Sequence, residues 1–251
     1  MPATPAWPPR STPRLFVDRT LAPGPLTLDG PAAHYLATVM RLKPGEPAML
    51  FDDRTGEWLA TVASLGKRDL VLDVARMTRP REPVPDLWLC AAPLKKGRVD
   101  WVAEKASELG VARLVPVLTR RTVADRVNVD RLRAHAIEAA EQCGRTALTQ
   151  VAEPVKLDAL LREWPRADAG GGRALFFADE TGGAPALAAM RARPGPAALL
   201  VGPEGGFDDA ERTAIRALPQ AVGVTLGPRI LRADTAAAAI TALWMAAAGD
   251  W

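Results

Sequence analysis

The stretch Ala197-Ala198-Leu199-Leu200-Val201-Gly202-Pro203-Glu204-Gly205-Gly206-Phe207 decides how this chain is read. Five apolar residues in a row, without alternation, fit a strand covered on both faces. They run into three glycines, a proline and one carboxylate before a helical pattern begins at Asp208. Glycine permits positive φ and lets a ligand approach the main chain, while proline limits the loop's freedom. The loop is therefore suited to recognition by backbone atoms. Its spacing matches neither GxGxxG nor GxxxxGK[ST], so the nicotinamide and nucleoside triphosphate signatures are missing.

A second loop of the same kind follows in Val224-Thr225-Leu226-Gly227-Pro228-Arg229-Ile230-Leu231-Arg232-Ala233-Asp234-Thr235, which enters a run of four alanines. Alanine has high helix propensity and allows close packing. Either loop alone would pass for an ordinary turn. In an α/β sheet, however, ligands sit at the carboxyl ends of strands, and both loops occupy that position.

Working outward, strands alternate with helices: Leu87–Ala92, Val99–Leu109, Leu114–Leu118, Val129–Gln142 with Gly144 as a stop, Ala174–Ala178, Ala184–Arg191, Ala197–Val201, Asp208–Leu218, Val222–Leu226 and Thr235 to Ala247. Such alternation predicts βα units and a largely parallel sheet. The run after Ala167, Asp-Ala-Gly-Gly-Gly, predicts a surface loop. Upstream the pattern is different. Arg14 to Asp18, Ala48 to Asp52, Glu57 to Ser64 and Asp69 to Arg79 are short strand-like runs bounded by Gly, Pro and Asp. One helix, Pro31 to Met40, interrupts them, with Asp29 as a candidate cap. The expected organisation is a flexible tail over 1–13, a small β-rich domain over 14–80, a proline-rich linker at 81–85 and an α/β domain over 86–251.

Composition narrows the function. In 251 residues there are 32 Lys plus Arg against 29 Asp plus Glu, 2 Cys and 2 His. No apolar run reaches the ~18–20 residues of a membrane span, and the first residues lack the apolar core of a secretory signal; a cytoplasmic protein without membrane attachment is expected. Two cysteines and two histidines, without CxxC or HExxH, supply neither a disulfide framework nor a zinc ligand set, so no metal is expected. The net charge of +3 is unevenly spread: residues 1–75 are neutral, 76–150 carry +5 and 151–251 carry −2.

Taken together, LVGPEGGF at 200–207 and LGPRILR at 226–232 resemble the RsmE family of 16S rRNA uridine-N3 methyltransferases, in the SPOUT superfamily. Lys105-Ala106-Ser107-Glu108-Leu109-Gly110-Val111 with Pro116, and Glu141-Gln142-Cys143-Gly144-Arg145, resemble further family motifs in the same order. His34, Met40-Arg41-Leu42-Lys43-Pro44-Gly45 and Leu50-Phe51-Asp52 resemble its PUA-like RNA-binding module. The likeness spans roughly residues 14–249. It implies a SPOUT α/β-knot, with a carboxyl-terminal trefoil knot and a mostly parallel sheet, preceded by a small PUA-like β-barrel. It also implies a homodimer, S-adenosylmethionine (SAM) as methyl donor, and N3 of the uridine-1498 equivalent in the small ribosomal subunit as acceptor.

Carried onto this chain, the resemblance assigns the donor to Gly202, Pro203, Glu204, Gly205, Gly206, Leu226, Gly227, Ile230 and Leu231, with Phe177 and Ala178 beside a third loop. Uridine N3 is a poor nucleophile until its proton leaves, so a cation that stabilises the developing anion is needed. Arg145 and Arg232 are the candidates; each has an alternative role, Arg145 at a phosphate or helix end and Arg232 in an ion pair across a dimer. Glu204 would accept a proton, bind the donor or satisfy loop N–H groups. RNA contacts are expected from Arg14, His34, Arg41, Lys43, Lys95, Lys96, Arg98, Arg120, Arg121 and Gln142, although His34 also suits simple packing and the 95–98 cluster suits a solvated helix start. The chain departs from the family's commoner Leu-Arg-Thr-Glu-Thr in reading Leu231-Arg232-Ala233-Asp234-Thr235, where Asp234 is a candidate helix cap. An RNA-binding or ribosome-assembly protein without catalysis is the second reading, and a small-molecule enzyme the third. The donor loops favour catalysis over the second, and the basic middle third disfavours the last.

Overall fold

The computed structural model describes residues 12–95, 97–123, 126–167 and 172–251. Most of the expected tail, most of the loop after Ala167, and Lys96 lie outside the described residues. The chain divides into two compact units: residues up to Pro83 together with Ala140–Leu148, and Val84–Ala139 with Thr149–Trp251.

The first unit is built on strands β1 (Arg14–Phe16), β2 (Gly24–Asp29), β3 (Pro47–Asp52), β4 (Gly56–Leu65) and β5 (Asp69–Pro80), in the sheet order β1-β3-β4-β5-β2. The β1–β3 ladder is parallel and the others antiparallel. Three register shifts along β4–β5 mark bulges, which increase the twist of this long hairpin. Inward residues Leu26, Leu28, Leu50, Trp58, Ala60, Val62, Leu70 and Leu72 close on Leu36 to form the core. Strand β2 is absent from the sequence expectation because Pro25 cannot donate to a ladder; the strand survives as an edge strand, where that loss is tolerated. The expected helix is divided into α1 (Gly30–His34) and a π-helical turn over Tyr35–Val39, and it ends where Arg41 takes φ of 57°. Asp29 stands at the N-cap without a side-chain hydrogen bond.

Turn chemistry between β3 and β4 rests on one side chain. The Asp52 carboxylate is fully buried and accepts hydrogen bonds from the backbone N–H groups of Leu21 (2.6 Å), Arg54 (3.0 Å) and Gly56 (3.1 Å) and from the Thr55 hydroxyl (2.9 Å). Burial alone would raise its pKa, but the donors on Leu21, Thr55 and Gly56 hold it below the usual carboxylate range.

In the second unit the elements are β6 (Leu87–Ala91), α2 (Arg98–Glu108), β7 (Arg113–Leu118), α3 (Val129–Cys143), β8 (Gln150–Val151), β9 (Val155–Lys156), α4 (Leu157–Ala167), β10 (Ala174–Ala178), β11 (Ala184–Pro185), α5 (Ala186–Arg191), β12 (Ala197–Val201), α6 (Asp209–Ala217), β13 (Ala221–Thr225) and α7 (Ala233–Ala248). The last turn of α3 is grouped with the first unit. The sheet runs β11-β13-β10-β12-β6-β7-β8, with β9 also on β7, and every ladder in it is parallel.

Alternate residues of these strands serve two separate cores. Leu87, Leu89, Phe176, Leu199 and Val201 face α7, where Ala236, Ala237, Ile240 and Trp244 are buried. Cys90, Leu175, Phe177, Ala198 and Leu200 face Phe207, Ile215 and Trp164. Burial on both sides is why β12 reads as a continuous apolar run. Gly144 ends α3 at φ of 85°, as expected of a left-handed stop. Helix α4, unanticipated from sequence, is polar along one side and covers the second core with Leu157, Leu160 and Trp164. Among the described residues no helix is long and apolar enough to cross a membrane.

A carboxylate with a depressed pKa contributes stability above its unfolded value and loses it as pH falls through the folded one. Asp52→Asn should therefore lower the unfolding free energy by about 1–3 kcal/mol at neutral pH. It should also flatten the acid limb of stability below about pH 4, both read from urea denaturation across a pH series.

Candidate methyl-donor site

Three neighbouring strands, in the order β13-β10-β12, point their carboxyl ends the same way. The segments that leave them, Gly202–Gly206 after β12, Asp179–Gly182 after β10 and Leu226–Arg232 after β13, converge on one cavity of roughly 720 Å³. The first turn of α7 and the side chain of Arg98 complete the lining. Its size suits a small ligand. Its walls combine apolar surface at Val201, Val224 and Ala236 with the carboxylates of Glu180 and Glu204 and long runs of main chain.

Glycines make the convergence possible. A Cβ at Gly183 would collide with the backbone of Gly223 and Val224, so β11 approaches β13 only because side chains are missing there. Gly206 has φ of 66°, and a Cβ on it would strike the Glu180 carboxylate. Beyond the loop, Phe207 is 1% exposed and anchors it in the second core. Helix α6 then starts with a capping box, in which Asp208 Oδ1 accepts from Glu211 N–H at 2.7 Å and Glu211 Oε2 accepts from Asp208 N–H at 3.1 Å.

Ion pairs brace the loop after β10. Buried Asp179 binds Arg212 Nη1 at 2.7 Å and Arg216 Nη2 at 2.6 Å, while Arg212 Nη2 reaches Glu180 (3.0 Å) and the Phe207 carbonyl (3.1 Å). Burial would raise the Asp179 pKa, yet Thr181 and Arg216 hold it below the usual range. Arg98 stands between two walls of the cavity, its Nη1 3.6 Å from Glu204 Oε1 and its Nε 3.7 Å from Asp234 Oδ2.

Most donor residues expected from sequence meet here: Ala178, Gly202, Pro203, Glu204, Gly205, Gly206, Leu226, Gly227, Ile230 and Leu231 all line the cavity, as does Arg232. Phe177 is corrected. It is 1% exposed and turned into the second core, because neighbours on a strand face opposite ways and Ala178 holds the cavity side. The sequence points to the loop after β10 as a third contributor without singling out Asp179, Glu180 and Gly182, although a strand entering Asp-Glu-Thr-Gly-Gly carries the same signal as the other two loops. Asp234 is not the cap of α7: the N-cap is Arg232, and Asp234 lies in the first turn.

The expected RNA contacts fall into groups. Arg121 donates to the Gly205 carbonyl at 2.7 Å and Arg120 to Asp208 at 3.1 Å, so both lie beside the loop that follows β12. Lys95 is exposed just before α2, and Lys96 lies outside the described residues. In the first unit His34, Arg41, Lys43 and Gln142 are exposed. Arg14 is corrected: it is 8% exposed, pairs with Glu57 and packs over the Phe51 ring, so it is not presented to a nucleic acid. Arg145 is buried in the first unit, with Nε 3.2 Å from Glu82 Oε1. It does not line the cavity.

Comparison with known proteins agrees with this geometry. Residues 80–245 match the family described as RNA methyltransferase domain, and residues 28–75 match the RNA methyltransferase PUA domain. A ribosomal RNA small subunit methyltransferase E of Mycobacterium bovis is 30% identical over 236 residues, 89% of each chain. The solved ribosomal RNA small subunit methyltransferase E of Neisseria gonorrhoeae, bound to SAM, superposes with a TM-score of 0.84 at 25% identity and covers 96% of this chain and 99% of its own. A methyltransferase of Legionella pneumophila, solved with SAM, gives 0.83 at 28% identity with the same coverage. With its glycine loops, its parallel sheet and its amino-terminal unit all accounted for by these matches, the chain belongs to the ribosomal RNA small subunit methyltransferase E family.

Proposed function

We propose that this chain methylates N3 of a uridine in 16S rRNA of the small ribosomal subunit, at the equivalent of position 1498, with SAM as donor. The observation that carries the reading is the convergence of three glycine-containing strand-end loops on one cavity. SAM pairs an apolar adenine and a charged amino acid end with a sulfonium. The lining offers apolar residues, the carboxylates of Glu180 and Glu204, and main-chain groups in the same small space. When bound, the donor supplies an electrophilic methyl carbon.

The protein's own residues then have four tasks. Loops 202–206 and 226–231 orient the donor. Arg98, spanning Glu204 and Asp234, keeps two walls at a fixed spacing and so supports alignment, which is a large part of the rate. Arg232, exposed where α7 begins on the cavity wall, is the cation placed to favour a uridine anion as the N3 proton leaves. The exposed Gln142 is assigned to the acceptor RNA, with His34, Arg41 and Lys43 as contacts along the first unit; Arg145, 7% exposed and paired with Glu82, serves the acceptor side through the stretch of chain that carries Gln142.

The reading includes a homodimer, a cytoplasmic location and the knotted passage of α7. Support for the dimer is apolar surface beside the donor loop: Ile230 is 90% exposed, and a groove of roughly 560 Å³ is lined by Pro185, Leu187, Leu226, Pro228 and Leu243.

The direct test incubates the protein with labelled SAM and small subunits that lack the modification, then maps the methyl group. Label on N3 of one uridine is expected, and its absence would sink the assignment. Two substitutions grade the donor site. Gly206→Ala places a Cβ against Glu180 at a positive φ and should weaken donor binding by about tenfold or more by calorimetry. Gly205→Ala, where a Cβ meets only Arg121 at 3.5 Å, should change it by no more than about twofold. Arg145→Ala should lower methylation by roughly tenfold or more while leaving donor affinity near wild type; equal losses in both would remove it from the acceptor side.

A further inference from the structure

Within the first unit, two arginines and a glutamate form a cluster that the donor site does not use. Glu57 is 2% exposed and accepts from Arg14 Nε (2.7 Å), Arg79 Nε (3.0 Å), Arg79 Nη2 (2.7 Å) and the Thr78 hydroxyl (3.0 Å). Both guanidiniums face two ways. Arg14 Nη1 donates to the carbonyl of Ala140 at 2.6 Å, its Nη2 donates to the carbonyl of Arg145, and Arg79 Nη2 donates to the carbonyl of Gly144 at 2.8 Å.

All three acceptors are backbone groups at the carboxyl end of α3 and the turn after it, where the dipole favours cations; the Ala140 carbonyl also accepts from Gly144 N–H at 3.2 Å. Further bonds run to the same stretch: Phe16 N–H to Glu141 Oε1 (2.9 Å), Glu82 N–H to Thr146 Oγ1 (2.8 Å) and Leu148 N–H to Asp53 Oδ1 (3.0 Å). Burial opposes ionisation of Glu57, but Arg79 and Arg14 outweigh it and keep the carboxylate charged.

Simple stabilisation is a poor account of this cluster. The buried part of it is the Arg14–Glu57 pair, with Arg79 partly exposed, and a buried ion pair is often no more stable than well-packed hydrophobes of equal volume. What apolar residues cannot do is hold carbonyl oxygens, and here a single carboxylate orients two forks that grip the main chain from Ala140 to Arg145. That stretch bears Gln142, which is exposed, and Arg145, which is buried against Glu82.

We propose that Arg14, Glu57 and Arg79 are positioning residues for the acceptor RNA: they fix the backbone of residues 140–145 so that the exposed Gln142 is held in register for the substrate, with the buried Arg145 part of the same support. The proposal rests on the assignment of Gln142 to the RNA. Arg14 thus serves the substrate through the chain it holds, without touching it.

The test compares Glu57→Gln, Arg79→Lys, Arg145→Ala and the double variant Glu57→Gln/Arg145→Ala in the full chain. The readouts are amide hydrogen exchange over 140–148, donor affinity, and kcat and KM for small subunits. Glu57→Gln should speed exchange in 140–148 by about tenfold or more and lower kcat/KM for the subunit by a similar factor, with donor affinity within about twofold. Added to Arg145→Ala it should cost little more, because both act through one segment. Arg79→Lys keeps a charge for Glu57 but loses the fork to Gly144, and should fall between Glu57→Gln and wild type; it carries the comparison if Glu57→Gln does not fold.

Unchanged exchange over 140–148, or losses that multiply in the double variant, would overturn the proposal. So would faster exchange with undiminished methylation. If Arg145→Ala methylates normally while Glu57→Gln does not, positioning of Gln142 stands and Arg145 alone drops out of the support.

Discussion

Parallel pairing is the constraint on which the second unit depends. Strands that run the same way must all release their loops at the same end, and an unbroken parallel ladder from β11 to β8 leaves no exception. The strand β10 lies between β12 and β13 although it precedes both in the chain. Loops that are 20 or more positions apart in sequence therefore become neighbours around one cavity. Glycine follows from this as a steric requirement, since three loops cannot share so small a space if each carries side chains toward the others.

Convergence by itself would leave a floppy rim, and the charged residues near it supply rigidity. Asp179 is buried with two arginines from α6, so the loop after β10 is tied to the helix that follows the loop after β12. Arg121 reaches the same rim from the loop after β7. Buried, hydrogen-bonded pairs of this kind are costly to break, because the remaining partner is left uncompensated. The rim is thus braced from several elements while its own main chain faces the cavity.

How far this was legible in sequence follows from which physical signal each part carries. Strand β12 and the Gly-Pro loops are visible because continuous apolar runs and glycines are local properties of a few residues. Helix α7 is visible because alanine repeats are. Phe177 and Ala178 are adjacent and similar in chemistry, and only the register of β10 decides which faces the ligand. Arg14 looks like any surface cation in an amino-terminal strand; its burial depends on Glu57 and on backbone 126 positions away. The division of the helix after Pro31 into an α and a π turn has no residue signature, and β2 is hidden by Pro25. Local chemistry was readable, and pairing across distance was not.

The separation between Arg14 and the carbonyl of Ala140 also bears on how the protein is made. At the ~5–20 residues per second typical of synthesis, the first unit waits on the order of 10 s for the last piece of its own packing to emerge. During that interval the Glu57 pocket has its carboxylate and both cations but not the backbone they grip. The strands of the first unit and much of the second are thus synthesised before the first can close, so the two complete their folding as interleaved events and not in simple order from the amino terminus. A gene cut at the proline-rich segment near residue 83 would separate Arg14, Glu57 and Arg79 from the carbonyls they hold, which makes this junction a poor place to divide the enzyme into halves.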